Sequence, residues 1–263
     1  MRLILNADDF GASAETVAET VACFEAGLLT SATIMARMPA TESALAYARE
    51  HPEFSFGVHL TLTGAGDERP VSDPAHVPGL VDENGRFPST STVRLRALAR
   101  RLPAAELERE LTAQIALVRD SGIPVSHVDS HQHLHKFAVV RRALERVLPR
   151  FGIARVRRMQ DLYLRRPLTS PTYWLRHWWG LPLTSRFVGT DHLYMPGTAG
   201  DERWLGVLDA LRSSDPRRSV EIGVHPGPDD WRLLERQELA RFVPAALAGG
   251  HALVSWNALT DAN

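Results

Sequence analysis

The chain has 263 residues, of which 44% are hydrophobic and 23% are charged, and its formal net charge is −1. This composition is typical of an ordinary globular domain, and the charge gives no argument for binding nucleic acid or an acidic membrane surface. Its single cysteine, Cys23, excludes an intrachain disulfide. The first residues show no secretory leader pattern, and no apolar run approaches the roughly 20 residues that a membrane helix needs. We therefore predict a cytoplasmic protein.

Short apolar segments alternate with longer helical patterns along the chain. In chain order the sequence predicts a strand over 2–10, a helix over 14–26, a strand over 31–36, a helix over 43–51, a strand over 56–63, a helix over 104–122, a strand over 125–131, a helix over 137–152, a strand over 153–159, a strand over 219–227, a helix over 232–250 and a strand over 251–256.

This alternation predicts parallel strands that are joined by right-handed helical crossovers. The fold class is therefore α/β, either barrel-like or doubly wound. The barrel is favoured because polar residues cluster at strand ends, where barrels carry their chemistry. We predict one domain over 1–263. The segments 64–103 and 160–200 interrupt the pattern, and each is either functional or locally structured.

The strongest local motif is NADDFG at 6–11, in which two adjacent carboxylates follow an apolar strand. Side chains alternate along a strand, so Asp8 and Asp9 can face different ways. One of them could bind a metal while the other handles a proton. Taken alone, a turn with an aspartate at a helix start explains the motif as well.

The segment HVDSHQHLH at 127–135 contains four histidines within nine residues, directly after a predicted strand. Packing alone explains such a density poorly, because each buried imidazole needs a polar partner. We predict that His131, at the end of the strand, points into a site. We assign His135 to capping of the following helix. For His133 two roles stay open, a structural one and one near the substrate.

Two further histidines follow or lie in predicted strands. His59 belongs to GVHLTLT at 57–63, and His225 precedes the Pro-Gly pair that ends another strand. Each is weak evidence by itself. Together with the carboxylates and His131 they fall near the carboxyl ends of four separate strands. One aspartate and two histidines form a mixed oxygen and nitrogen ligand set for a metal with open positions. This combination predicts metal-assisted hydrolysis of an amide or ester.

The chain resembles the YdjC-like carbohydrate deacetylase family. The resemblance rests on six blocks in the expected order, namely NADDFG, LLTSATIM, GVHLTLTG, HVDSHQHLH, GIARVR and HPG. It implies a distorted (β/α) TIM-like barrel and one divalent metal ion, Mg or Zn. It also implies that Asp9, His59 and His131 are the metal ligands, Asp8 the general base and His225 the general acid.

Two more residues are predicted to bind substrate, Arg157 and His133; for Arg157 the alternatives are orientation of Asp8 or a surface salt bridge. The aromatic residues of the irregular segment could stack on sugar rings, although an apolar lid or a dimer contact explains them equally well. These residues are Trp174, Trp178, Trp179 and Tyr194.

The predicted reaction removes the N-acetyl group from an acetylated amino sugar, a chitooligosaccharide or related glycoconjugate, and releases acetate and a free amine. One alternative is a metal-dependent hydrolase of another amide or of a phosphoester. Another is a catalytically silent sugar-binding protein. The predicted partner is a small acetylated sugar, with no nucleic acid or membrane partner and with a possible homodimer.

Overall fold

The computed structural model describes residues 1–160, 186–196, 204–211, 215 and 217–259. The strands are β1 (Arg2–Phe10), β2 (Ser31–Ile34), β3 (Ser55–Leu60), β4 (Val125–Ser130), β5 (His192–Tyr194), β6 (Ser219–Val224) and β7 (Ala252–Leu253). The α-helices are α1 (Ala14–Glu25), α2 (Thr41–Glu50), α3 (Thr90–Leu98), α4 (Ala104–Asp120), α5 (Ala138–Val147), α6 (Leu205–Leu211) and α7 (Asp230–Ala248). Short 3₁₀ helices lie at Pro74–His76, His131–Lys136, Leu148–Phe151 and Trp256–Ala258.

The strands form one parallel sheet in the order β4-β3-β2-β1-β6-β5, and β7 pairs with β1 beside this path. Beyond β4, an isolated bridge joins Val128 to Val156, and a second bridge joins Arg155 to Val188. The sheet curves into a half-barrel with flanking helices. The predicted α/β, barrel-like fold is thereby confirmed. All the strand ends that carry the predicted site residues lie at the same edge of this sheet.

Burial explains why these segments form strands and helices. All residues of β1 after Arg2 are buried, as expected for a parallel strand covered on both faces. Helix α4 turns an apolar stripe toward the core, with Leu107, Leu111 and Ile115 fully buried. Burying each such side chain contributes about 1.5–3 kcal/mol. The same sheet edge is therefore held in place by a continuous core beneath it.

Three expectations need correction or completion. The strand predicted over 153–159 is reduced to the two isolated bridges, because its neighbour at Val188 pairs over a single residue only. The last strand is two residues long, since the chain turns into a 3₁₀ helix at Trp256. The segment 64–103 contains α3, so it is locally structured.

Among the described residues, no helix has both the length and the apolar character that crossing a bilayer requires.

Candidate active site

The end of β1 brings both adjacent carboxylates to the same site. Strict alternation would point them to opposite faces of the sheet. The β1–β2 pairing, however, shifts register between Ala7 and Phe10, and Asp9 has a φ of 60°. Aspartate is among the few non-glycine residues that adopt this left-handed conformation readily. The irregularity turns Asp9 toward the same edge of the sheet as Asp8.

Asp9, His59 and His131 form a group that fits a divalent cation. Oδ1 of Asp9 lies 3.1 Å from Nδ1 of His131 and 3.4 Å from Nε2 of His59. One ligand atom of each residue lies within 4.8 Å of the others. Ligand atoms about 2.1 Å from one ion are about 3.0–3.4 Å apart in octahedral or tetrahedral geometry. The spacing and the mixed donor set therefore match the predicted ligand triad.

A carboxylate behind His59 fixes the orientation of its ring. Nδ1 of His59 lies 2.7 Å from Oδ1 of Asp129, and the hydroxyl of Thr33 donates to Oδ2 of Asp129 at 3.1 Å. Burial alone would lower the pKa of His59, but the Asp129 carboxylate and its neighbours raise this pKa to about 10. A cation at Nε2 would displace the second proton, because a metal ligand must be the neutral imidazole.

Arg157 is fully buried and pairs with three carboxylates. Its Nη1 and Nη2 lie 2.6 and 2.7 Å from the two oxygens of Asp8. Nη1 also lies 2.6 Å from Asp129, and Nε donates to Glu221 at 2.8 Å. Of the roles predicted for Arg157, this geometry provides the contact that orients Asp8. A surface salt bridge is excluded because none of the side chain is exposed.

Arg157 also sets the protonation of the carboxylates around it. Burial by itself would raise the pKa of Asp8, yet the guanidinium holds this pKa well below its usual range. Burial dominates at Glu221, where it raises the pKa to about 7. Asp8 is therefore ionised at neutral pH. A second group of potential ligands, Asp8, His59 and Asp129, suits a cation poorly because the Arg157 guanidinium already pairs with both of its carboxylates.

His225 faces Asp8 from the end of β6 and is held by a carboxylate from α7. Its Nε2 lies 3.8 Å from Oδ2 of Asp8. Its Nδ1 lies 3.4 Å from Oε2 of Glu235, which also accepts the His225 backbone N–H at 2.8 Å. Burial alone would lower the pKa of His225, but Glu235 and the nearby aspartates raise it above its ordinary value. The protonated imidazole is thereby favoured.

Arg232, from the first turn of α7, completes the site. Its Nη2 donates to Oδ2 of Asp9 at 2.9 Å, and its guanidinium stacks 4.8 Å from the centre of the Trp231 ring. This contact occupies one oxygen of Asp9 and leaves Oδ1 facing the two histidines. Sequence reasoning missed Arg232 and Glu235, since no local motif contains them. It also missed Glu221, although this residue lies four positions before His225 in the same predicted strand. Asp129 could have been found, because it lies two residues before His131 in a strand.

The other predicted residues lie in different surroundings. His133 is half-buried with a φ of 55°, and the centre of its ring lies 6.2 Å from the centre of the His135 ring. The capping role predicted for His135 is wrong: its Nδ1 lies 2.6 Å from the Ser130 hydroxyl, and Phe137 precedes α5 instead.

Tyr194 is buried against Trp204, so its predicted sugar contact is not supported. The other aromatic candidates, Trp174, Trp178 and Trp179, lie outside the described residues.

Known proteins resemble this chain over most of its length. The model of the YdjC-like protein family matches residues 2–261. A carbohydrate deacetylase of Geobacillus stearothermophilus is 40% identical over 234 residues, which are 88% of this chain and 81% of the relative. A carbohydrate deacetylase of Brevibacillus brevis is 40% identical over 135 residues, 51% of this chain and 50% of the relative.

A solved structure extends the similarity to the whole fold. The crystal structure of an Enterococcus faecalis protein, assigned to cellobiose-phosphate cleavage, aligns with a TM-score of 0.79 and 25% identity. The alignment covers 98% of each chain. The match of the family model over nearly the full length carries the conclusion. This chain belongs to the YdjC-like family.

Proposed function

We propose that this protein is a metal-dependent hydrolase that removes the N-acetyl group from an acetylated amino sugar, a chitooligosaccharide or a related glycoconjugate. The relatives named carbohydrate deacetylase support a hydrolase that acts on sugars. The observation that carries the proposal is the convergence of ligand atoms from Asp9, His59 and His131 within 4.8 Å. Asp8 and His225 stand beside this group, 3.8 Å apart.

The ligand triad would hold one divalent cation, Mg or Zn. When bound, such an ion polarises a carbonyl oxygen and lowers the pKa of a coordinated water. Two imidazoles favour zinc or a similar transition ion, whereas the carboxylate is also compatible with magnesium. Asp129 supports the triad because its carboxylate contacts Nδ1 of His59 and so fixes the orientation of that ring.

In the proposed mechanism Asp8 accepts a proton from the attacking water. Arg157 fixes both oxygens of Asp8 and keeps the carboxylate ionised and able to accept a proton, while it lowers the basicity of that carboxylate. The water oxygen forms the new C–O bond of acetate. Because Asp8 accepts the proton of this water, the water attacks the carbonyl carbon from the side of Asp8.

His225 donates the second proton. The C–N bond of the acetamide breaks, and the amine nitrogen leaves with the proton from Nε2 of His225. Glu235 supports this step because its carboxylate stabilises the protonated ring from the other side. The products are acetate and an amino sugar. Arg157 and His133 as substrate-binding residues, a single domain over 1–263, a cytoplasmic location and a homodimer stay predictions.

The test measures acetate release from N,N′-diacetylchitobiose and N-acetylglucosamine, with zinc, magnesium or a chelator added. Metal-dependent acetate release is expected, and the Asp8→Asn protein is the matched control. Phosphate release from sugar phosphates without acetate release would favour a phosphoesterase. Stoichiometric metal without acetate release across a panel of N-acetylated sugars would favour a silent sugar-binding protein.

A further inference from the structure

A second cleft lies between α3 and α5, outside the candidate active site. Its volume is about 330 Å³, at the lower end of the roughly 300–1,000 Å³ of small-molecule sites. Five cationic side chains line it, Arg100, Lys136, Arg141, Arg142 and Arg146. Apolar side chains also line it, among them Leu98, Ala138 and Val139. We call this feature the α3–α5 cleft.

The α3–α5 cleft carries an excess of positive charge. Arg146 is paired with Glu108 at 2.6 Å, but Arg150 also approaches that carboxylate, at 3.7 Å. Within the described part of the chain, Arg100 and Arg142 form no ion pair. This excess is local, because the chain as a whole has a formal net charge of −1. Clustered cations of this kind attract an anion.

Arg141 adds a buried donor whose only recorded acceptor, the Glu145 carboxylate, lies beyond hydrogen-bond distance among the described residues. Its side chain is only 15% exposed, and its Nε lies 3.6 Å from Oε1 of Glu145. Among the described residues its Nε is buried and makes no hydrogen bond. A buried polar group without a partner is costly, so native structures usually satisfy it. An anion seated in the α3–α5 cleft would add an acceptor for the Arg141 guanidinium, which lines the cleft.

We propose that the α3–α5 cleft binds a phosphate group, either free phosphate or the end of a phosphate ester. Four of the five lining cations are arginines, whose planar guanidinium matches phosphate oxygens in pairs. The apolar lining residues would contact the carbon portion of an ester, and Leu98 among them is 55% exposed. This binding site is separate from the proposed deacetylase reaction and does not depend on it.

Both walls of the cleft connect to the segment that begins with His131. Lys136 is the last residue of the 3₁₀ helix His131–Lys136. From α3, Arg94 donates to the carbonyl and the side-chain oxygen of Gln132, at 3.3 and 3.1 Å. An anion bound in the cleft would therefore lie against the same segment that supplies a residue of the metal triad.

The test is isothermal titration of the full chain at low ionic strength with three probes. These are inorganic phosphate, glycerol 3-phosphate, and phosphatidylcholine vesicles that contain phosphatidic acid. Saturable binding that weakens with added salt is expected. Arg142→Glu should weaken it about tenfold or more, since one charge is reversed beside the anion. Arg241→Glu is the matched control, because Arg241 is exposed on α7 and does not line the cleft.

A second variant, Arg141→Met, removes the buried donor and should also weaken binding. Saturation by free phosphate alone, or by vesicles alone, would support the site and identify the source of the phosphate group. Absence of saturable binding with all three probes would overturn the proposal. Equal binding by the Arg142→Glu protein and the unaltered chain would also overturn the proposal. Phosphate bound to a cation at Asp9 would give that result, because Arg142 is not part of the metal triad.

Discussion

The candidate active site has a buried layer and an open rim, and the two differ in what holds them. In the buried layer, the side chains of Arg157, Asp8 and Asp129 are 0–2% exposed. At the rim, the side chains of His131 and His225 are 30% and 22% exposed. The buried side chains are fixed by one another, whereas the rim side chains keep surface for a ligand.

The difference follows from the cost of burying charge. A buried ion is tolerated when a partner and hydrogen bonds replace its water. Arg157 provides the partner charge and the hydrogen bonds for three carboxylates. Burial raises the pKa of Glu221 to about 7, so that carboxyl can be partly protonated. The rim residues keep contact with water, so each can exchange that contact for substrate or a cation. The buried layer therefore sets geometry, whereas the proposed chemistry falls to Asp8, at the boundary of that layer, and to the rim residues.

Asp8 is the residue at which the two layers meet, so its substitution tests the division most severely. Asp8→Asn should lower kcat by about 10²–10⁴-fold, the usual contribution of a general base. Metal stoichiometry should stay unchanged, because Asp8 is outside the ligand triad. Steady-state kinetics and metal analysis check both. An active Asp8→Asn enzyme would remove Asp8 as the base.

Arg157→Met should destabilise the fold by about 3–5 kcal/mol, because it leaves buried carboxylates without their counter-charge. Urea unfolding followed by circular dichroism measures this. Arg157→Lys keeps one charge and should recover part of the loss. If Arg157→Met unfolds at the same urea concentration as the unaltered chain, the buried layer does not stabilise the fold.

Asp129→Asn should weaken metal binding by about 10–100-fold, the usual cost of removing the partner behind a metal-bound histidine. His59→Ala should abolish stoichiometric binding. Competition with a chromogenic chelator gives both affinities. Full metal content in His59→Ala would exclude His59 as a ligand.

Glu235→Gln should act through His225 without changing the metal. The Glu235 carboxylate raises the pKa of His225, so its loss lowers that pKa. The proposed catalytic acid is protonated His225, and this form is lost as pH rises through the pKa of His225. The alkaline limb of kcat/KM should therefore move to lower pH, with about a tenfold loss of rate above neutrality. A pH profile that keeps its alkaline limb would contradict this role for Glu235.

Arg232→Met is the rim counterpart of Arg157→Met and should have the smallest effect. Its ion pair with Asp9 is only partly buried, so the free energy of unfolding should change by less than about 1 kcal/mol. Metal affinity should fall by no more than about tenfold, because Asp9 loses only its orienting contact. A loss of stability as large as that of Arg157→Met would erase the distinction between rim and buried layer.

The amino-acid sequence by itself determined the alternating elements and the positions of Asp8, Asp9, His59, His131 and His225. Periodicity and polar residues after apolar strands are local features, so they can be read without a structure.

Only the tertiary structure decided how those residues meet. Arg157 contacts Asp8 across 149 positions of sequence, and Arg232 reaches Asp9 across 223. The left-handed turn at Asp9 is likewise set by the register shift between β1 and β2. Such contacts depend on which strands are neighbours and on how the chain bends at their ends, because buried charges find their partners only after the sheet has formed.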